Sequence, residues 1–148
     1  MNEEVKARAF RIVEKREVSR KMLIDKLTEK GASPEDAQEV ADRLCELRVI
    51  DDSRFAGMVV RHYAGRGYGL RRIQEELYRR GIDRELWENA MEELPEENDN
   101  LYRLLCRRLA GDNSVDAQRK AIAALQRRGF GWDEIRSAMD RYHRENEE

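Results

Sequence analysis

Paired basic residues recur along this sequence at a spacing that would place them on one side of a helix. A helix turns once in about 3.6 residues, so two pairs separated by eight positions share a face. Arginine binds phosphates and carboxylates through a planar fork of donors, and this predicts contact with an anionic polymer or an acidic protein groove. The pairs are Arg71–Arg72 with Arg79–Arg80, and Arg119–Lys120 with Arg127–Arg128. A weaker version of the same pattern consists of Lys21, Lys26 and Lys30.

Two other interpretations of these cations stay open. They could form an ordinary solvated helix surface, although their recurrence favours a shared role. Charge is also segregated, since residues 61–84 hold seven arginines whereas residues 85–99 hold seven acidic residues and no Lys or Arg. Some of the cations could instead cap helices, because a basic residue in the last turn interacts favourably with the helix dipole. The cations placed in this way are Lys30, Arg80 and Arg128.

A glycine-rich segment, GRGYG at residues 65–69, lies just before the first arginine pair. It lacks the Gly-Lys-Ser/Thr ending of a P-loop and the G-x-G-x-x-G pattern of a dinucleotide site. A turn between two helices explains it, with Gly65 past one helix and Gly69 before the next. The alternative is that Arg66 and Tyr68 contact a partner, because an exposed tyrosine beside arginines can stack on a nucleobase or fill a protein pocket.

The elements that position these residues are helices arranged in a threefold repeat. Each repeat contains an amphipathic stretch with a basic last turn, then a glycine, then a second amphipathic stretch. A residue with positive φ is favoured just past a helix, and glycine adopts it without strain. With one further helix before each pair, the pattern predicts an all-α fold of nine helices. The anchoring glycines are Gly31, Gly81 and Gly129, and the predicted repeats span residues 1–52, 53–97 and 98–148.

The ends and buried faces of the helices can also be predicted. Ser19, Ser53 and Ser114 stand where N-caps are expected, Asp51 and Asp52 can cap the fourth helix, and Pro34 suits a first turn. Four apolar residues at i, i+3, i+4 and i+7 follow each anchoring glycine and predict a buried face. These sets are Ala37, Val40, Ala41 and Leu44; Trp87, Ala90, Met91 and Leu94; and Ile135, Ala138, Met139 and Tyr142.

Composition and motifs favour a non-enzymatic protein of the cytoplasm. Charged residues make up 41% of the 148 residues, yet the net charge is only −2. No stretch has the length and apolar character of a signal peptide or a membrane span. Cys45 and Cys106 each lie in an apolar helical pattern, which predicts buried reduced thiols, and His62 and His143 are predicted at the surface or at its boundary with the core. We expect no catalytic residues, metal site or cofactor.

The stretch IDDSRFAGMVVRHYAGRGYGLRRIQEELYRRGI, residues 50–82, resembles the most characteristic part of the RecX family of bacterial recombination regulators. Similar features there are a D-D-x-R-F-A run, a G-Y-G turn and an R-I-x-x-E-L-x-x-K/R-G-I helix. LQRRGFGWDEI resembles the third repeat of that family, and RKMLIDKLTEKG resembles the first, although the usual glutamate of an S-x-x-E-L pattern is missing. The positions that match the family patterns are Asp51, Asp52, Arg54, Phe55, Gly67, Tyr68, Gly69, Arg72, Ile73, Glu76, Leu77, Gly81, Gly129 and Phe130.

The resemblance implies an elongated, curved array of three tandem three-helix repeats, and we expect the protein to be a monomer. It also implies binding to the RecA filament on single-stranded DNA, with inhibition of ATP hydrolysis, strand exchange and filament extension. Phe55, Ile73, Leu77 and Phe130 are then expected in the core, and the exposed arginines are the expected contact set. The alternative is a helical DNA-binding module that acts without RecA, although the acidic net charge argues against DNA binding as the primary role.

Overall fold

The regular elements of the chain are helices throughout the residues that the computed structural model describes, which are 1–94 and 99–146. The all-α prediction is therefore confirmed, and the described residues contain the nine predicted α-helices. These helices are α1 Glu3–Lys15, α2 Arg20–Glu29, α3 Pro34–Glu46, α4 Asp52–Gly65, α5 Leu70–Arg79, α6 Trp87–Met91, α7 Asp99–Leu109, α8 Val115–Arg127 and α9 Trp132–Glu145, and a 3-10 turn at Arg84–Leu86 directly precedes α6. Every helix in the described part of the chain is too short or too polar to span a bilayer.

The anchoring glycines end their helices as predicted. The φ angles of Gly31, Gly81 and Gly129 are 104°, 71° and 96°, in the region that strains any residue with a Cβ atom. The hydroxyl oxygens of Ser19 and Ser114 accept hydrogen bonds from backbone amides in the first turns of α2 and α8. The local sequence therefore defines both ends of these two helices.

The N-cap of α4 is Asp51, and the prediction that placed Ser53 at a cap is wrong. The Asp51 carboxylate accepts hydrogen bonds from the amides of Ser53 and Arg54, at 3.1 Å and 3.2 Å. Ser53 is itself inside the helix and exposed. Asp52 instead accepts a bond from the backbone amide of Arg20, at 2.9 Å. An aspartate that precedes the helix reaches these free amides, whereas a serine within the first turn does not.

The apolar faces are buried as predicted in the first and third repeats. One core packs α1, α2 and α3 around Leu23, Leu27 and Leu44, and another packs α7, α8 and α9 around Leu105 and Ile135. All four members of the first and third predicted sets are buried. The residues expected in the core from the family resemblance are also buried, namely Phe55, Ile73, Leu77 and Phe130.

The third helix of the second repeat is shorter and less buried than its counterparts. Of its predicted apolar set only Ala90 is buried, and Trp87, Met91 and Leu94 are half-buried. The helix begins at Trp87, directly after the 3-10 turn, and ends at Met91. Two acidic residues, Glu92 and Glu93, follow at the negative end of the helix dipole, where anions are unfavourable. Pro95 also disfavours helical conformation at Leu94.

The chain divides into two compact units. The first compact unit consists of residues 1–59 and 76–92, and the second of residues 60–75 and 93–148. The division falls within α4 and within α5, so each of these helices contributes residues to both units. It does not follow the predicted repeats, whose boundary after residue 52 stays a prediction. The other predicted boundary, between residues 97 and 98, lies outside the described residues.

Candidate anion-binding surface

The glycine-rich segment is a turn that is fixed by backbone contacts within the second compact unit. Helix α4 continues through Gly65, and the residue with positive φ is Gly67, at 82°, which corrects the predicted position by two residues. The amide of Gly69 donates to the carbonyl of Arg128 at 2.8 Å, and the amide of Arg71 donates to that of Gly129 at 3.0 Å. The start of α5 is therefore joined directly to the turn that follows α8.

Two of the predicted contact arginines are held by a tyrosine in this turn. The guanidinium carbons of Arg72 and Arg128 lie 4.8 Å and 4.9 Å from the centre of the Tyr68 ring. Arg72 also lies 5.6 Å from the Tyr63 ring, which meets Tyr68 edge to face. Cation–π contacts of this kind contribute about 0.5–2 kcal/mol. Tyr68 therefore acts within the fold, and it positions the two arginines.

The side chain of Arg128 bonds to the turn that follows α4. Its Nη1 atom donates to the carbonyl oxygens of Arg66 and Gly67, at 3.2 Å and 3.4 Å, and these carbonyls follow the C-terminus of α4. The prediction placed Arg128 at the C-terminus of its own helix, and Arg128 is indeed the C-cap residue of α8. Its guanidinium, however, bonds to a turn 62 residues away along the chain. Such a contact cannot be found from local spacing.

The remaining predicted cations of the second compact unit point to solvent. Arg66, Arg119 and Arg127 are exposed, and the side chains of Arg71 and Lys120 are 81% and 78% exposed. Arg71 pairs with Glu75 at 3.8 Å and Lys120 with Asp116 at 3.2 Å. Exposed pairs contribute only about 0–1 kcal/mol, so a stronger anion could replace either carboxylate. These five side chains are able to bind an anionic partner at little cost to the fold.

In the first compact unit, Arg79 and Arg80 both turn toward a buried carboxylate. Glu76 is 1% exposed, and its carboxylate oxygens meet the guanidinium groups of both arginines. Arg80 also donates to the main-chain carbonyl of Glu76 at 3.1 Å. A buried carboxylate requires paired charges and hydrogen bonds, and the two arginines supply them. The i, i+3 and i, i+4 spacing was the signal in the sequence that could have identified this cluster.

Replacing Glu76 with alanine is expected to lower the free energy of unfolding by about 2 kcal/mol. The change leaves two guanidinium groups without their buried anion, and the loss is smaller than for a fully buried pair because Arg79 reaches solvent. Urea denaturation followed by circular dichroism measures it. The matched control is Glu75→Ala, which removes an exposed carboxylate from the same helix and should change stability by less than about 0.5 kcal/mol. Equal effects of the two substitutions would contradict this role of Glu76.

The three predicted lysines of α2 and its C-terminus occupy different environments. Lys21 is exposed and lies 4.0 Å from Asp25, Lys26 is half-buried, and Lys30 is exposed at the C-cap. The carbonyl of Lys30 accepts a hydrogen bond from Arg8 at 3.0 Å. The lysines thus form a weaker cationic face than the arginines of α5 and α8.

The two thiols and the two histidines differ in their exposure to solvent. Cys45 and Cys106 are free thiols, as predicted, but they are half-buried and not fully buried. Burial, together with the nearby carboxylate of Asp52, raises the pKa of Cys45, so its thiol stays protonated at neutral pH. Burial also raises the pKa of Asp52 itself. Both histidines are exposed as predicted, and the described residues contain no group of three or more acidic, Cys or His side chains that could hold a metal ion.

Comparison with protein families gives a match over nearly the whole chain. Residues 6–44 match the first three-helix domain of RecX, residues 51–91 match the second, and residues 96–139 match the third. These three matches confirm the prediction of three tandem three-helix units.

Individual relatives and solved structures agree with the family matches. The regulatory protein RecX of Xanthomonas axonopodis pv. citri (strain 306) is 40% identical over 134 residues, covering 88% of this chain and 83% of the relative. The regulatory protein RecX of Stenotrophomonas maltophilia (strain R551-3) is 39% identical over 134 residues, covering 88% of this chain and 82% of the relative. The crystal structure of RecX from Lactobacillus salivarius has the same fold, with a TM-score of 0.84, 23% identity and 94% of each chain covered.

Proposed function

Because this chain belongs to the RecX family of regulatory proteins, we propose that it is a non-enzymatic negative regulator of homologous recombination and DNA repair. It binds the RecA filament on single-stranded DNA and inhibits ATP hydrolysis, strand exchange and filament extension. It acts in the cytoplasm as a monomer and needs no cofactor. The observation that carries this proposal is the match to all three domains of the family, in order, along one chain.

The exposed cations of the second compact unit support a contact with an anionic assembly. Arg66, Arg71, Arg119 and Arg127 are exposed, and the Glu75 carboxylate that pairs with Arg71 is itself solvated. Arginine loses little conformational freedom for each hydrogen bond it forms with a carboxylate or phosphate. Such side chains accelerate association with an anionic partner and set the register of the complex. They are the proposed contact set, together with Lys120.

Inhibition of ATP hydrolysis needs no catalytic group on this chain. A ligand shifts a conformational equilibrium by its difference in affinity for the two states. A protein that binds one conformation of the filament more tightly than the others therefore slows a cycle that must pass through all of them. The same preference would disfavour the addition of further RecA subunits if the bound conformation differs from the one that accepts them.

A binding experiment separates this function from that of a DNA-binding module. We would measure the fluorescence anisotropy of the labelled protein with RecA filaments on oligodeoxythymidylate, held by a non-hydrolysable ATP analogue, and with the oligonucleotide alone. We expect an affinity for the filament at least about tenfold higher than for the bare strand, because the filament adds protein contacts to the electrostatic ones. Equal affinity for the two, with an equally steep dependence on salt, would favour the DNA-binding module.

A further inference from the structure

A cleft in the first compact unit combines an exposed aromatic ring with cations. Its volume is about 430 Å³, within the range of roughly 300–1,000 Å³ that is typical of small-ligand sites. The side chains that give it its chemistry are those of Lys21, Tyr78, Arg79, Asp83, Arg84 and Trp87. Lys21 and Arg79 were expected at a contact surface, but the aromatic residues and Arg84 were not.

Tyr78 presents a largely exposed aromatic ring at this cleft. It is 74% exposed, although it lies on α5 between the buried Leu77 and the ion-paired Arg79. A nucleobase presents a π face of comparable size, and stacking on an aromatic ring contributes about 1–3 kcal/mol per base in single-strand binding. An exposed ring beside cations is the combination that such binding requires.

Arg84 is held in place by the second aromatic residue. Its guanidinium carbon lies 5.4 Å from the centre of the Trp87 ring, and the Trp87 indole donates through Nε1 to the carbonyl of Ile82 at 2.9 Å. The hydrogen bond fixes the indole, and the indole in turn supports the guanidinium. A guanidinium that lies over an aromatic ring can still donate hydrogen bonds through the N–H groups in its own plane. The oxygens of a phosphate are suitable acceptors for these groups.

Lys21 supplies a second cation at the margin of the cleft. Its side-chain stem lies against Gly81, where a Cβ atom would come within 2.7 Å of the Lys21 Cβ. Its ammonium is only loosely paired with Asp25, at 4.0 Å. Asp83 is the one acidic residue of the six, and its carboxylate makes no capping hydrogen bond within the described part of the chain. Three of the six side chains are therefore cationic and one is acidic, and of the three cations Arg79 is already paired with Glu76.

We propose that this cleft binds one nucleotide of single-stranded DNA, with the base on Tyr78 and the phosphate between Arg84 and Lys21. A single-stranded nucleotide uses both features of the cleft, the exposed ring through stacking and the cations through its phosphate, whereas a duplex does not release a base to stack. An acidic protein segment is the competing occupant, and the affinity variants below distinguish it from the nucleotide. This proposal depends on the proposed function at one point only, because the RecA filament is what would bring single-stranded DNA to the cleft. Its test omits RecA, so the two proposals can fail separately.

Tryptophan fluorescence reports occupancy of the cleft directly. The chain has two tryptophans, so Trp132→Phe leaves Trp87 as the only reporter, and Trp87→Phe leaves Trp132. Titration with a short oligodeoxythymidylate should change the Trp87 signal in a saturable way and leave the Trp132 signal unchanged. Binding of the oligonucleotide without a change at Trp87, or no binding at all, would overturn the proposal.

Affinity variants test the roles of the individual side chains. Tyr78→Ala should weaken binding of the labelled oligonucleotide about tenfold, whereas Leu47→Ala, at another exposed side chain of the same unit, should not. Arg84→Ala should reduce the slope of log affinity against log salt by about 0.7, and Arg43→Ala should not change it. Unchanged affinity in Tyr78→Ala, with displacement by oligoglutamate as effective as by unlabelled oligonucleotide, would assign the cleft to an acidic peptide and contradict the proposal.

Discussion

Replacing Gly129 with alanine is expected to lower the free energy of unfolding by about 3 kcal/mol, because it adds backbone strain to a steric clash. The φ angle of Gly129 is 96°, a backbone conformation that is strained for any residue with a Cβ atom. The added Cβ would also lie 2.5 Å from the backbone nitrogen of Arg72. Because the clashing atom belongs to the backbone, a change of side-chain rotamer cannot relieve the clash. The substitution should therefore separate the turn after α8 from the start of α5.

Alanine substitutions at two other glycines of the second compact unit separate the two causes, which are backbone strain and steric clash. Gly111 has a φ angle of 82°, but among the described residues nothing lies within 4 Å of an added Cβ, so Gly111→Ala should cost only about 1 kcal/mol of strain. Gly69 is not in the positive-φ region, but its Cβ would lie 2.5 Å from the Gly129 carbonyl, so Gly69→Ala should cost about 2 kcal/mol through the contact alone.

Urea denaturation of the three alanine variants provides the measurement. Hydrogen exchange of the Gly69 and Arg71 amides should also accelerate in Gly129→Ala, because both amides donate across this contact. If Gly129→Ala is no more destabilising than Gly111→Ala, the close backbone approach is absent in solution.

Reversing two exposed charges is expected to raise the concentration of this protein that half-inhibits RecA ATPase by at least about tenfold. The double variant Arg71→Glu/Arg127→Glu changes two of the proposed contact residues. Arg71 makes only an exposed pair with Glu75, at 3.8 Å, so the fold should tolerate the change. Arg72 is unsuitable for this test, because it stacks on Tyr68 and its reversal would disturb the turn.

The matched control is Arg103→Glu/Arg107→Glu on α7. Both arginines are exposed and lie outside the proposed contact set, and the double variant changes the net charge by the same amount. It should leave half-inhibition within about twofold of the unmodified protein, since long-range electrostatics alone act mainly on association rates. The same loss in both variants would mean that net charge, and not the proposed surface, governs inhibition.

Local chemistry accounts for the parts of the fold that the sequence predicts correctly. Three signals determine helix ends and faces through residues that are close in the sequence. They are a glycine after a basic helical turn, a serine before an amphipathic stretch, and an apolar face of four residues. Gly31, Ser19 and the Ala37 face are examples. The misplaced cap at Ser53 has a local cause as well, because Asp51 competes for the same amides and reaches them better.

The candidate site is less predictable because its contacts are distant along the chain. Arg128 meets the carbonyls of Arg66 and Gly67 more than sixty residues away, and its partner ring belongs to Tyr68. The guanidinium groups of Arg72 and Arg128, which suggested contact with a partner, make hydrogen bonds or cation–π contacts within the fold. Spacing on a helix shows that two arginines share a face, but it does not show which of them already has an internal partner. In the structure Arg71, Arg119 and Arg127 are exposed, whereas the guanidinium groups of Arg72 and Arg128 lie over the Tyr68 ring.

The rate of ATP hydrolysis by RecA on single-stranded DNA tests the proposed regulation most directly. The unmodified protein is titrated against preformed filaments, and phosphate release is followed with RecA in excess. We predict that hydrolysis falls at substoichiometric amounts of this protein, since a filament-binding regulator acts on many subunits at once. Hydrolysis that continues at its full rate when this protein is in molar excess over RecA would contradict the account.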